Sequence, residues 1–264
     1  MGTARLGRFG ALKAPVEPEA WTMGVAARAV APRSMTKRTG IRDQGDAGAC
    51  TGFGEGATLA IVHGLGFIPA SGALYFFNKR ESGFPDSVDS GAYMLPSAQA
   101  ALKYGIGSEA LWPYKPENYS VEPSDEYKVQ ALDHRVKAFY RAPTVAQLKT
   151  ALSIGLPGFS AFDVPASFRE VGATGMWVDR GGRAVGGHAI CIEGYDDDIS
   201  YGSDSSAKGC FVVQNSWGPE WGTNHPDDPA GGTEGFFLLP YYAYEGSRWW
   251  DSIIFSAWDL EAGS

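Results

Sequence analysis

The chain has 264 residues, enough for one large domain or two lobes, and at 44% hydrophobic and 13% aromatic it reads as globular rather than disordered. Its formal net charge of −8 comes with no Lys/Arg stripe, which argues against a nucleic-acid partner, because phosphate binding needs clustered cations. No apolar run approaches the roughly 18 residues of a membrane span, and the first twenty residues lack the apolar core of a signal peptide. The expectation is no membrane association and a cytoplasmic address, with non-Sec export left open.

Residues 1–24 are rich in Gly, Ala, Pro and Arg without periodicity and read as a tail or an extended wrap ahead of one domain over 25–264. Met1 and Gly2 begin like a myristoylation site, but Leu6 stands where Ser or Thr is required. The phrase QGDAGACTGF (44–53) then leads into CTGFGEGATLAIVHGLG, small and glycine-rich at first and apolar later, which predicts a buried helix from Cys50 to the Gly64 and Gly66 breakers. Early glycines cost a helix roughly 1 kcal/mol each against Ala, so they point to close packing or to backbone approaching a ligand, with a loosely formed first turn as the alternative. Ser71 stands as the cap of a second helix reaching Arg80, and a third is expected from about Ser97 to Tyr104, before Gly105. Trp112, Pro113 and Tyr114 read as an aromatic loop anchoring two parts of the molecule.

The polar, proline-bearing residues 115–126 read as a linker, with the sequon at Asn118 as an ordinary loop. Beyond it the pattern shortens. VKAFYRA is strand-like, Thr144 to Ser153 is a short amphipathic helix, and GLPGFSAFDV is again strand-like. Two further strands carry His188 and the run Cys210 to Asn215, and GFFLLPYYAY supplies another. Such spacing suggests an antiparallel barrel or half-barrel. YDDDISYGSDSSAKG and TNHPDDPAGGTEG read as acidic surface loops without the spacing of a calcium loop. Of the three cysteines, Cys191 and Cys210 lie in apolar runs and read as buried free thiols.

Cys50 at a helix N-terminus has a chemical meaning. Unpaired helical N–H groups and a nearby imidazolium favour the thiolate, lowering a free-thiol pKa of about 8.5 to roughly 3.5–7.5. Downstream, His188 opens an apolar segment in GGHAICIEGYDDD, and Asn215 ends another in CFVVQNSWGPEWG. A link of 27 positions allows a hairpin that brings the two side chains together.

Gln44, Cys50, His188 and Asn215, in this order and inside these phrases, resemble the papain-like cysteine proteases. In that family the His and Asn follow the Cys by about 130–150 residues, and the local signature is C-G-[SA]-C-[WY]. Here the signature reads A-G-A-C-T, with Ala47 for the first cysteine and Thr51 for the aromatic. The resemblance, over about residues 38–245, implies an α+β, papain-like two-lobed fold, with a helical lobe (about 40–114), a β-barrel-like lobe (about 127–250) and a cleft between them.

It further implies that Cys50 attacks the scissile carbonyl from a resting ion pair with His188, that Asn215 orients His188, and that Gln44 donates to the oxyanion. Trp217 would shield the His–Asn bond, and Trp221 would pack behind it. Ala47 removes a cysteine that normally pairs in the first lobe, and Gly187 stands where secreted members often carry Asp or Asn, a change expected to alter the pH profile. With 49 residues before Cys50, no room is expected for the long helical prosegment of secreted zymogens.

The implied partner is a peptide or protein substrate bound as an extended chain, with no cofactor and no metal. Oligomeric state is left open. Phe162, Ala189 and Tyr241 could border a pocket, without assignment. Alternatives are an amidase or transglutaminase-like acyl transferase, which would give an amide product with added amines, and a catalytically silent peptide-binding relative.

Overall fold

Helix α1 (Cys50–His63) runs as the glycine pattern predicts, ending at Gly64, and it is buried along most of its length. Its glycines are required by approach distances. A Cβ on Gly52 would lie 2.2 Å from the Ser71 carbonyl oxygen, at the start of α2 (Ser71–Glu81), and one on Gly54 would lie 3.0 Å from the Ile190 nitrogen of a central strand. The helix is thus clamped between a neighbouring helix and a sheet. The computed structural model describes residues 9–13, 22, 30–37, 39–201, 207–229 and 234–258.

In the helical lobe, Ser71 does not cap α2. The cap position is Ala70, with no side-chain hydrogen bond, because Ser71 faces α1, where a Cβ on Gly56 would lie 2.6 Å from its Oγ. After β3 (Ala92–Tyr93), α3 (Met94–Lys103) starts at Met94 rather than Ser97, since Pro96 falls in the first turn, where a missing N–H costs nothing. The expected linker holds a 3₁₀ turn (Pro116–Ser120) and leads to α4 (Asp125–Leu132), capped by Ser124 accepting from the Tyr127 N–H. Helix α4 was not legible in the pattern because only Tyr127 and Ala131 are buried on it. They join Phe76, Phe77, Ala100 and Trp112 in the core of this lobe.

The second lobe is one seven-stranded sheet. It contains β2 (Arg33–Met35), β4 (Ala138–Arg141), β5 (Gly158–Pro165), β6 (Ala184–Ser200), β7 (Lys208–Gln214), β8 (Phe236–Pro240) and β9 (Trp249–Ser256), all antiparallel, in the order β4-β9-β5-β6-β7-β8, with β2 on the outer part of β6. β4 and β8 do not pair, so the sheet is open rather than a closed barrel. Helix α5 (Val145–Ser153) carries the full capping box of Thr144 and Gln147, as the amphipathic pattern predicts.

Several expectations are corrected here. GFFLLPYYAY splits at Pro240 into β8 and the turn of helix α7 (Tyr241–Tyr244). The acidic run YDDDIS is the outer end of β6, not a loop. The stretch from Thr223 is not only surface, because His225 is buried with its Nε2 3.1 Å from Glu193 Oε1. Helix α6 (Phe168–Thr174) and β9 were not predicted. β9 lies between β4 and β5, where both faces are covered, and a strand of that kind shows no two-residue alternation. Cys191 and Cys210 are buried free thiols. Among the described residues, no helix is long and apolar enough to cross a membrane.

Gly52→Ala isolates the clamp on α1. Helix propensity alone would stabilise the variant by about 1 kcal/mol. The collision with the Ser71 carbonyl should instead destabilise it by about 1–3 kcal/mol in urea unfolding.

Candidate active site

Cys50 is the first residue of α1, and its sulfur lies against the backbone N–H groups of Ala189, Gly10, Ala11 and Thr51. Ala189 follows His188 on β6, so the packing of α1 on β6 carries the sulfur to the histidine's strand. β6 and β7 pair with Cys191 opposite Gln214, which sets Asn215 beside His188. His188 Nε2 is 2.7 Å from Asn215 Oδ1. The same oxygen accepts from the Ser216 N–H at 2.8 Å, which identifies it as the carbonyl end of the amide. Nε2 therefore carries the proton and donates it to Asn215. Nδ1 is then the basic nitrogen, and it has no hydrogen-bond partner among the described residues.

The imidazole sits in an aromatic box. Trp217 lies 4.6 Å from it between ring centroids, Phe162 5.8 Å, Phe9 6.4 Å and Phe168 6.5 Å. Trp221 packs edge-on against Trp217 at 5.2 Å. Trp217 thus stands where the sequence comparison expects a shield, and Phe162 lies opposite His188 on β5. Tyr241 belongs elsewhere, with its hydroxyl on Asp197.

Gln44 is fully buried, and its side chain is held at both ends. Oε1 accepts from Ser216 Oγ at 2.7 Å, and Nε2 donates to the Ala47 carbonyl at 2.9 Å, in the turn ahead of Cys50. Its backbone is fixed as well, by Gln44 N–H to the Ser216 carbonyl and by the Tyr114 hydroxyl donating to the Gln44 carbonyl. The expected aromatic anchor at 112–114 therefore reaches the site itself. The following turn is held by Asp89, whose carboxylate accepts from the Gly48 N–H at 3.0 Å and from the Tyr75 hydroxyl at 2.5 Å. Ser216 and Asp89 were not singled out in the sequence, since Gln44 in the one case and Gly48 and Tyr75 in the other lie well apart from them along the chain.

The main departure from expectation lies in the N-terminal stretch. Residues 9–13, read as part of a tail, cross the site. Strand β1 (Ala11–Leu12) pairs in parallel with β3, and the Gly10 carbonyl accepts from the Ala92 N–H at 2.8 Å. The fit is tight. A Cβ on Gly10 would lie 1.8 Å from the Gly48 oxygen, and one on Gly187 would lie 2.2 Å from the Ala11 oxygen. Gly187, the departure noted beside His188, is thus the residue over which this strap passes. A two-residue strand has no periodicity to read, so its only sequence signal was that glycine.

Cys50 and His188 are both wholly buried under the strap. Burial pushes the Cys50 thiol up to about 11, opposed only in part by the four N–H groups, and draws His188 down to about 4 against the hydrogen bond that it donates to Asn215. Both shifts favour the neutral forms, so burial under the strap opposes the thiolate–imidazolium pair that the resemblance implies.

The family model for papain family cysteine proteases matches residues 27–225. A peptidase C1-like protein of Acanthamoeba polyphaga mimivirus is 29% identical over 75% of this chain and 63% of its own, and chymopapain of Carica papaya is 22% identical over 79% and 58%. The chain thus spans about three-fifths of the length of these relatives. Xylellain, a cysteine protease from Xylella fastidiosa, superposes with a TM-score of 0.80 over 98% of this chain and 99% of its own, at 22% identity, which shows the shared fold. The matched segment holds Gln44, Cys50, His188 and Asn215 together with most of both lobes, and the chain belongs to the papain family of cysteine proteases.

Proposed function

We propose that the protein is a cysteine endopeptidase held latent by its own residues 9–12. The observation that carries this reading is the proton arrangement at His188. Asn215 Oδ1 accepts a hydrogen bond from the Nε2–H and leaves Nδ1 as the base, on the strand whose next N–H touches the Cys50 sulfur. Once the strap moves and water enters, the desolvation that keeps both groups neutral is relieved. The Cys50 proton passes to His188 Nδ1, and the thiolate attacks the peptide carbonyl. The tetrahedral oxyanion draws on the Cys50 backbone N–H and on Gln44 Nε2, whose orientation Ser216 fixes. His188 then protonates the departing amine, giving a thioester, and activates the water that hydrolyses it. Trp217 keeps water from the His188–Asn215 bond. Substrates are peptide or protein chains taken up in extended form in place of the strap.

Gly10→Ala tests the latency. The added methyl collides with the Gly48 carbonyl and unseats the strap. With the thiol at about 11, only about one Cys50 in 10⁴ is ionised at pH 7 in the covered form. Iodoacetamide should therefore alkylate Cys50 slowly at pH 7 and faster as pH rises toward 11. The Gly10→Ala form should react at least a hundredfold faster at pH 7, as read by mass of the Cys50 peptide. Equal rates in the two forms would refute the latent state.

In the Gly10→Ala background, Cys50→Ala should abolish peptide cleavage. Gln44→Ala should lower kcat by about 10²–10³. Asn215→Ala should lower kcat/KM by more than tenfold, about 1.4 kcal/mol of transition-state stabilisation. Peptide cleavage by the Cys50→Ala form, or cleavage only when an amine acceptor is supplied, would overturn the assignment.

A further inference from the structure

A cavity of about 610 Å³ lies between the stretch 37–42, helix α1, the turn 65–69 that follows it, and the end of β7. Its volume is in the range of small-molecule sites, roughly 300–1,000 Å³. The walls are mostly apolar, from Ile41, Phe53, Ile61, Leu65 and Ile68. Among the described residues, the charged ones that line it, Lys37 and Arg42, are cations, and no Asp or Glu lines it.

The two cations differ. Arg42 is already paired with Glu109 and also donates to the Pro69 carbonyl. Lys37 is exposed and makes no hydrogen bond or ion pair among the described residues. Two other lining residues, Ser71 and Asn215, carry buried polar atoms, Oγ and Nδ2, with no hydrogen-bond partner. Buried donors of this kind cost free energy unless something satisfies them. None of these features is used by the strap or by the proton path through His188.

We propose that this cavity binds a small amphipathic carboxylate, such as a medium-chain fatty acid or an aryl-alkanoate, with its tail against α1 and its head group at Lys37. An apolar chain suits the aliphatic walls, and the unpaired ammonium at a mouth without acids selects a negative head over a neutral one. An inorganic anion would leave the apolar walls unused. Because Asn215 and Ser216 form part of the wall, the ligand would share a boundary with the residues that hold His188 and Gln44.

Isothermal titration of the full chain with decanoate, held below its micellar range, tests this directly. The expected result is saturable binding at one site, at least tenfold weaker for decanol and absent for acetate. Lys37→Gln, an exposed change, should weaken decanoate at least tenfold without altering Tm. Ala57→Phe, on the α1 wall, should remove binding. No saturable heat with decanoate, equal affinity for decanol, or an unchanged Kd in Lys37→Gln would overturn the proposal. Should Ala57→Phe fail to fold, the Lys37→Gln and decanol comparisons decide. The readout is heat of binding, so the outcome is independent of whether the protein cleaves peptides.

Discussion

The site depends on how closely α1 approaches β6. Gly54 lets the helix come to contact with the Ile190 backbone, and Gly52 lets α2 close on the other side. Only at that separation does the first residue of the helix place its sulfur against the Ala189 amide, one position after the histidine. A helix with alanines at those positions would be better formed in isolation and could not come so near. The cost in helix propensity is offset by fixing the Cys50 sulfur on one lobe against the strand of His188 on the other.

The second element of the site belongs wholly to the sheet. The register that sets Cys191 opposite Gln214 carries Asn215 to His188. The Ser216 N–H, by donating to the same Asn215 oxygen, fixes which end of the amide faces the ring and so which ring nitrogen is basic. Ser216 also holds Gln44. One short turn after β7 therefore holds both the His188 ring, through Asn215, and the Gln44 side chain, which links their geometry.

The strap acts on this arrangement by electrostatics as much as by shape. Phe9 closes the aromatic box around His188, and Gly10 and Ala11 cover the sulfur. With water excluded, separating charge between thiol and imidazole becomes costly, so burial favours the neutral pair. Gly10 and Gly187 are the positions that make room for this crossing of residues 9–12.

The family was legible in the linear order of Gln44, Cys50, His188 and Asn215, because each stands inside a local phrase that the sequence states outright. So were α1, bounded by its glycines, and α5, bounded by its capping box. Local capping and propensity suffice for those elements. They do not suffice for α4, β9 or the end of β6, whose burial is supplied by neighbours far along the chain rather than by their own periodicity. The sequence by itself determined which residues could perform thiol chemistry and where the central helix begins. Only the tertiary structure decided the hydrogen-bond partner of His188, the burial of the Cys50 thiol and the course of residues 9–12, because burial and long-range hydrogen bonding are set by packing between distant segments.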